Sequence, residues 1–189
     1  MAARRNPASM IYTLRLELQY IEPLIWRRLH VPTNIPLPKL HNVVQVVMGW
    51  TDSHLHSFRI GDRVYGSGED LADMNMVPEK GCNLGVLLGD SIREFSYEYD
   101  FGDGWEHRIV VESTSKPVPD WPYPLCVAGE RACPPEDIGG PPGYEQFLQA
   151  IAESDHEEHD SMLVWVGGAF DPAGFDINCV NRELRRLRL

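Results

Sequence analysis

The densest group of chemically useful side chains lies in the segment YEYDFGDGWEH, residues 97–107. Asp100 and Asp103 stand beside glycines, and Trp105 and His107 follow at alternating positions. Carboxylates crowded at a turn can hold a hard cation or divide acid and base roles between them. Asp and Gly are also the residues that a tight hairpin turn requires, and His107 falls in the apolar register of its strand. The segment therefore predicts a hairpin whose turn is a candidate binding site.

A pair of histidines follows the sequence WTDS at residues 50–53. His54 and His56 are two positions apart, so on a strand they project from the same face. Such a pair can bind a transition metal together with a third ligand from elsewhere, for which Asp103 and His107 are our candidates. Phe58 continues the same face, which equally favours a buried pair without a metal.

A third group of candidates lies in the segment CPPEDIGGPPGY, residues 133–144. Two prolines stiffen the approach to Glu136 and Asp137, and two glycines after them permit unusual backbone angles. A rigid loop with adjacent acids and a nearby aromatic side chain, Tyr144, predicts a binding edge. Prolines and acids are also typical of the start of a helix, and that alternative stays open.

We expect the DFGDGW turn and the PPEDIGG loop to lie side by side and form one surface site. Both segments place acids beside glycines, and both are flanked by aromatic residues, Trp105 and Tyr144, that can wall a pocket. Crowded carboxylates repel one another, so the site needs a cation, a histidine or an arginine. His107 and Arg108 are the nearest candidates in the sequence.

The hydropathy pattern places these motifs on strands and on the loops between them. Alternation predicts strands, and apolar residues at helical spacing predict helices. The predicted strands are 11–21, 24–31, 54–60, 63–65, 94–99 and 105–112, and the predicted helices are 37–48, one turn at 84–88, 143–152, 156–166 and 176–189. Proline and glycine make 113–142 a long surface loop.

Strands early in the chain and helices late indicate an α+β fold with a mixed β-sheet. The opening hairpin–helix–strand run is β-grasp-like by analogy, with the first long helix and the C-terminal helices packed on the sheet. We expect a flexible tail over residues 1–10 and a single domain over 11–189. The strand and helix registers predict one core that contains Leu14, Leu16, Trp26, Leu40, Val44, Phe58, Tyr97 and Ile109.

Composition and charge exclude several classes of protein. Seventeen lysines and arginines against 28 aspartates and glutamates give a net charge of −11, which disfavours non-specific binding to nucleic acid. No apolar stretch approaches the roughly twenty residues that span a membrane, and the N-terminus lacks the apolar region of a secretory signal. Four cysteines without a CxxC pair indicate reduced thiols. We therefore expect a cytoplasmic protein with no membrane partner.

Four segments together resemble the plasmid pRiA4b ORF-3-like family, over roughly residues 10–187. They are HLHSFRIGDRVYG, YEYDFGDGWEHRIVVE, CVAGERACPPEDIGGPPGYEQFL and FDPAGFDINCVNREL. The resemblance implies an α+β domain and assigns no catalytic residue. Some members are labelled TnpR-like passenger proteins of insertion elements. The chain shows neither a basic helix-turn-helix nor the late tyrosine of a tyrosine recombinase, so the sequence argues against recombinase activity.

Three functions stay open on the sequence. The first is a binding or interaction domain that recognises a protein or a small molecule through Asp100, Asp103, Trp105, His107, Glu136, Asp137 and Tyr144. The second is a protein or enzyme that binds a divalent metal ion through His54, His56, Asp103 and His107. The third is a nucleic-acid-associated accessory protein of mobile elements.

Overall fold

A computed structural model describes residues 10–68 and 71–187 of the chain. Its strands are β1 (Ile11–Leu18), β2 (Trp26–Pro32), β3 (His56–Ile60), β4 (Arg63–Gly66), β5 (Val77–Pro78), β6 (Glu94–Tyr99), β7 (Trp105–Ser115) and β8 (Leu125–Glu130). Its helices are α1 (Leu37–Met48), α2 (Leu84–Leu88), α3 (Gly140–Ala152), α4 (His159–Trp165) and α5 (Ile177–Leu184).

The eight strands form one mixed sheet in the order β5-β4-β3-β6-β7-β1-β2-β8. Every pair is antiparallel except β4 with β5. The predicted α+β class with a mixed sheet is confirmed. The opening hairpin, α1 and β3 follow in the predicted order, and β6 and β7 lie between β3 and the hairpin. This order places the start of β3 beside the β6–β7 turn, because His56 pairs with Tyr99.

Helix α1 has the bounds that its apolar spacing predicts. Pro36 precedes it, and Gly49 ends it in the left-handed region at φ 103°. One stripe of the helix is buried, including Leu40, Val43 and Val44. These side chains belong to the same hydrophobic cluster as the inward residues of β1 and β6.

The predicted core is confirmed except for Trp26. The residues facing the core here are Ile25, just before β2, and Arg27, Leu29 and Val31 on the strand, and Trp26 is half-buried on the other face. There the guanidinium carbons of Arg15 and Arg28 lie 4.3 and 5.4 Å from the centre of the Trp26 ring.

Arg27 occupies the position that Trp26 was expected to fill. Its guanidinium donates to the carbonyls of Val47 at 2.8 Å, Glu130 at 2.7 Å and Arg131 at 2.9 Å. It also lies 4.0 Å from the ring centre of Phe175. Burial lowers the pKa of Arg27, and the carbonyls replace the water that the cation loses.

The expected long loop at 113–142 is wrong. Strand β7 continues to Ser115, and β8 pairs with β2 inside the predicted loop. Gly129 of β8 passes so close to its neighbours that a Cβ there would lie 2.7 Å from the Phe175 ring. Small residues at such a contact obscure the alternation that predicts a strand.

The C-terminal helices differ from prediction in their bounds. Helix α3 begins at Gly140 rather than 143, and α4 covers only residues 159–165. Helix α5 ends at Leu184, and residues 188–189 of its predicted span lie outside the described residues. The predicted tail likewise lies outside them, apart from Met10. Within the described ranges, no helix is both long enough and apolar enough to cross a membrane.

Candidate functional site

Three carboxylates converge on the Nε2 atom of His54. This nitrogen lies 3.1 Å from Asp137 Oδ1, 3.6 Å from Asp100 Oδ2 and 3.9 Å from Glu136 Oε2. The nitrogen itself is buried and has no hydrogen-bond partner. The imidazole therefore points into the space between the acids rather than at one of them. His54 is the group that the crowded carboxylates were expected to need, in place of His107 or Arg108.

Asp100 is aimed by the hairpin turn that follows β6. Its backbone is left-handed at φ 55°, and its amide donates to the carbonyl of Leu55 at 2.9 Å. Its Oδ1 accepts the amide of Gly102 at 3.0 Å, which leaves Oδ2 towards His54. The turn thus fixes one oxygen of a buried carboxylate and presents the other.

Glu136 is held by Thr51, Tyr99 and, through Tyr99, Ser53, none of which is among the predicted site residues. Its Oε1 accepts the amide of Thr51 at 2.7 Å and the hydroxyl of Thr51 at 3.0 Å. The Tyr99 hydroxyl donates to the same carboxylate at 3.1 Å and accepts the amide of Ser53 at 3.0 Å. Burial, followed by the charge of Glu136, raises the pKa of Tyr99 to about 12, so Tyr99 stays a donor at neutral pH.

Phe95, Tyr97 and Tyr99 alternate along β6, and this pattern places Tyr99 on the core face of the strand. It carried no information about the partner of the Tyr99 hydroxyl, because that partner lies 37 residues further along the chain.

The DFGDGW turn and the PPEDIGG loop lie in contact. Asp103 Oδ2 accepts the amide of Gly139 at 3.1 Å. A Cβ on Gly140, whose φ is +69°, would lie 2.3 Å from the carbonyl oxygen of Asp103. The Asp103 carboxylate is therefore engaged in joining the two segments, next to the acids that face His54.

His56 lies apart from this cluster. It is buried, stacks on His41 with ring centres 3.5 Å apart, and places its Nε2 3.0 Å from Glu79 Oε2. Strand β3 begins only at His56, so the alternation that would align it with His54 does not extend back to that residue.

His107 also lies away from the acids. Its Nδ1 is 3.0 Å from the carbonyl oxygen of Trp105, and its ring meets Trp50 edge-on at 5.4 Å. Complete burial lowers the pKa of His107 to about 4, so the ring is neutral near pH 7. His107 is part of the core, as its apolar register indicated.

The two aromatic residues expected to wall the site are buried as well. Trp105 packs against Trp50, and Tyr144 packs against Phe147 and Phe170. Arg108 lies on the outer face of the sheet, in ion pairs with Glu17 and Glu94. The aromatic ring that does border the cluster is Tyr99, whose centre is 5.8 Å from that of His54.

Comparisons with known proteins identify close relatives. The profile of a family described as plasmid pRiA4b ORF-3-like protein matches residues 10–179. A Sinorhizobium fredii protein named "uncharacterized protein y4hQ" is 38% identical over 178 residues, which cover 93% of this chain and 91% of that protein. The crystal structure of a Methanosarcina mazei protein of unknown function, MM3350, has a TM-score of 0.84 and 36% identity, over 91% of this chain and 98% of that one.

Proposed function

The chain belongs to the plasmid pRiA4b ORF-3-like family, and we propose that it is a divalent-metal-binding domain whose ion is held by His54, Asp100 and Asp137. The observation that carries the proposal is the buried Nε2 of His54, which has no hydrogen-bond partner and faces three carboxylates. A buried ring nitrogen without a partner is costly unless a ligand or ion satisfies it.

The spacing of the donor atoms supports a shared ion. One nitrogen and two carboxylate oxygens of this set lie within 4.8 Å of one another. Two ligands bound about 2.0–2.2 Å from one ion are separated by about 3.0–3.6 Å, which is close to the separations around His54. Only small side-chain movements are needed to bring the three donor atoms to these separations.

The donor types favour a first-row transition metal. One imidazole with carboxylate oxygens suits Mn²⁺, Fe²⁺ or Zn²⁺ better than Mg²⁺ or Ca²⁺, which prefer oxygen ligands alone. Glu136 supplies a further oxygen 3.9 Å from Nε2. Its bonds to Thr51 and Tyr99 orient it as outer ligands are oriented in metal sites.

Backbone strain at the same residues is consistent with a built site. Asp100 and Asp137 both adopt left-handed φ values, 55° and 56°, which are uncommon for residues other than glycine. Such strain collects where surrounding structure forces a side chain into position. Here it aims two carboxylates at one histidine.

Metal titration of the purified protein tests the proposal. After treatment with a chelator, we expect one Mn²⁺ or Zn²⁺ ion to bind per chain, measured by calorimetry and by electron paramagnetic resonance for Mn²⁺. His54→Ala and Asp137→Asn should each lower the affinity at least about 100-fold, since even the loss of an outer partner costs 10- to 100-fold.

Matched controls are available elsewhere on the surface. His156→Ala removes a histidine whose Nδ1 accepts the amide of Glu158, and Asp62→Asn removes an exposed acid in the β3–β4 turn. Both should leave the affinity unchanged. Metal binding that is absent, or that survives His54→Ala, would overturn the proposed metal site.

A further inference from the structure

We propose that the metal centre takes a small, neutral aromatic amide whose ring lies in a cleft beside Asp137; this inference rests on the metal site proposed above. The cleft has a volume of about 360 Å³. It is lined by Asp137, Ile138, Ser161, Met162 and Trp165. Its volume is in the lower part of the range for small-molecule sites.

Asp137 belongs to both the cleft and the cluster around His54. Its Oδ1 lies 3.1 Å from His54 Nε2, and its side chain is 71% exposed. The ion is therefore approached from the Asp137 side, where solvent reaches the carboxylate. Because Asp137 also lines the cleft, a molecule that binds the ion beside this carboxylate lies next to the cleft.

The far wall of the cleft is aromatic. Trp165 is 49% exposed although α4 places it against the domain, and its ring meets Phe147 edge-on at 6.2 Å. About half of the Trp165 side chain stays accessible, and Trp165 lines the cleft together with Met162. An accessible indole beside a thioether suits a flat aromatic ring, because the thioether adapts its shape to the ring.

Charge selects a neutral head group. Asp100, Glu136 and Asp137 contribute −3, a divalent ion contributes +2, and a neutral His54 contributes nothing, which leaves −1. An anionic ligand is repelled by this excess. A protonated amine has no lone pair to give the metal, so a carbonyl oxygen is the donor that fits.

Ser161 favours an amide among neutral carbonyl compounds. Its hydroxyl donates to the carbonyl oxygen of Glu158 at 2.9 Å. The Ser161 oxygen therefore offers the cleft an acceptor and no proton. A primary amide can give its oxygen to the ion and an N–H to an acceptor, which an ester cannot.

The test uses benzamide as the probe and the full chain loaded with Mn²⁺. Binding of Mn²⁺ is first established by electron paramagnetic resonance. The longitudinal relaxation rate of the benzamide ring protons is then measured by NMR, with benzoate as the charged counterpart. We expect a several-fold enhancement for benzamide, little for benzoate, and loss of the enhancement when Zn²⁺ replaces Mn²⁺.

Variants distinguish binding of benzamide in the cleft from binding of the metal ion. Trp165→Ala should abolish the enhancement without changing Mn²⁺ affinity, whereas Val164→Ala, which trims the more exposed neighbour outside the cleft lining, should have no effect. Ser161→Ala should weaken benzamide at least threefold and leave methyl benzoate, an ester with no proton to donate, unchanged. This comparison covers the case in which Trp165→Ala does not fold.

The possible outcomes distinguish the two proposals. If Mn²⁺ binds through His54 but benzamide is not relaxed, or benzoate is relaxed equally, the ligand inference is overturned and the metal site stands. If no Mn²⁺ binds in the resonance experiment, the metal proposal is overturned, and the ligand inference falls with it.

Discussion

The imidazole rings of His41 and His56 stack face to face, with their centres 3.5 Å apart and their planes 8° from parallel. His41 Nε2 lies 2.8 Å from Asp52, and His56 Nε2 lies 3.0 Å from Glu79. A metal lies in the plane of each ring that binds it, so parallel rings stacked in this way do not share one ion. Two positive charges at this separation repel strongly, so a charge on one ring disfavours a charge on the other.

His41 is expected to resist protonation in the folded protein. Burial, followed by the charge of His56, lowers the pKa of His41. A folded-state pKa below the unfolded value means that the stabilisation is complete above the unfolded value, about 6.5, and is lost as the pH falls below it. NMR titration of the His41 ring protons should show a midpoint below 6.5.

His107 should make the domain sensitive to acid. Its pKa is lowered to about 4 by burial, so only the unfolded chain takes up this proton between about pH 6.5 and pH 4. Because the unfolded chain binds this proton more readily, lowering the pH from 7.5 to 5.0 should reduce the unfolding free energy by about 2 kcal/mol. Urea unfolding of His107→Leu at the two pH values should show a loss smaller by that amount. Equal losses in the two proteins would contradict the buried neutral ring.

Gly140→Ala should separate the turn from the loop. The new Cβ would lie 2.3 Å from the Asp103 carbonyl oxygen, and the φ of +69° disfavours any side chain. Gly167→Ala is the matched control, because its φ is +95° and nothing lies within 4 Å of the added Cβ. The control carries only the backbone cost, about 1–3 kcal/mol. Gly140→Ala should lower the unfolding free energy further and weaken Mn²⁺ binding, whereas Gly167→Ala should leave Mn²⁺ affinity unchanged.

Tyr99→Phe should disorient Glu136 without removing a metal ligand. The variant loses the hydroxyl that donates to Glu136 and accepts the amide of Ser53. We expect a loss of about 1–2 kcal/mol in unfolding free energy and about a tenfold loss in Mn²⁺ affinity. Tyr123→Phe removes a hydroxyl that accepts the amide of Val118, remote in sequence from the site motifs, and should leave the affinity unchanged. Calorimetry on both variants makes the comparison.

The hydrophobic pattern predicted those helices and strands in which apolar residues keep the same spacing from end to end. The spacing of Leu40 and Val44 fixed α1, and the alternation of Phe95, Tyr97 and Tyr99 fixed β6, because each element buries one continuous face. The DFGDG turn could also be predicted, but for a different reason. Asp and Gly are the residue types that a tight hairpin turn requires.

The features that the sequence did not predict depend on contacts between segments far apart in the chain. Arg27 lies inward because acceptors come from residues 47, 130 and 131, none of which is visible in the pattern of β2. Likewise His54 and His56 diverge because the chain is not yet a strand at residue 54, where Asp52 has just adopted a φ of 58°. Their shared role as metal ligands remains a prediction that this arrangement does not favour.

The buried guanidinium of Arg27 also bears on the order in which the domain forms during synthesis. The N-terminal hairpin and α1 are made first, but two of the carbonyls that Arg27 needs belong to Glu130 and Arg131, and the ring that covers it belongs to Phe175. In a nascent chain that lacks these residues, the Arg27 guanidinium would be buried between the hairpin and α1. Few protein acceptors would then replace the water that it loses. We therefore expect the N-terminal layer to close only after Glu130 and Arg131 have been made, and a chain that ends before Phe175 to be less stable than the full chain.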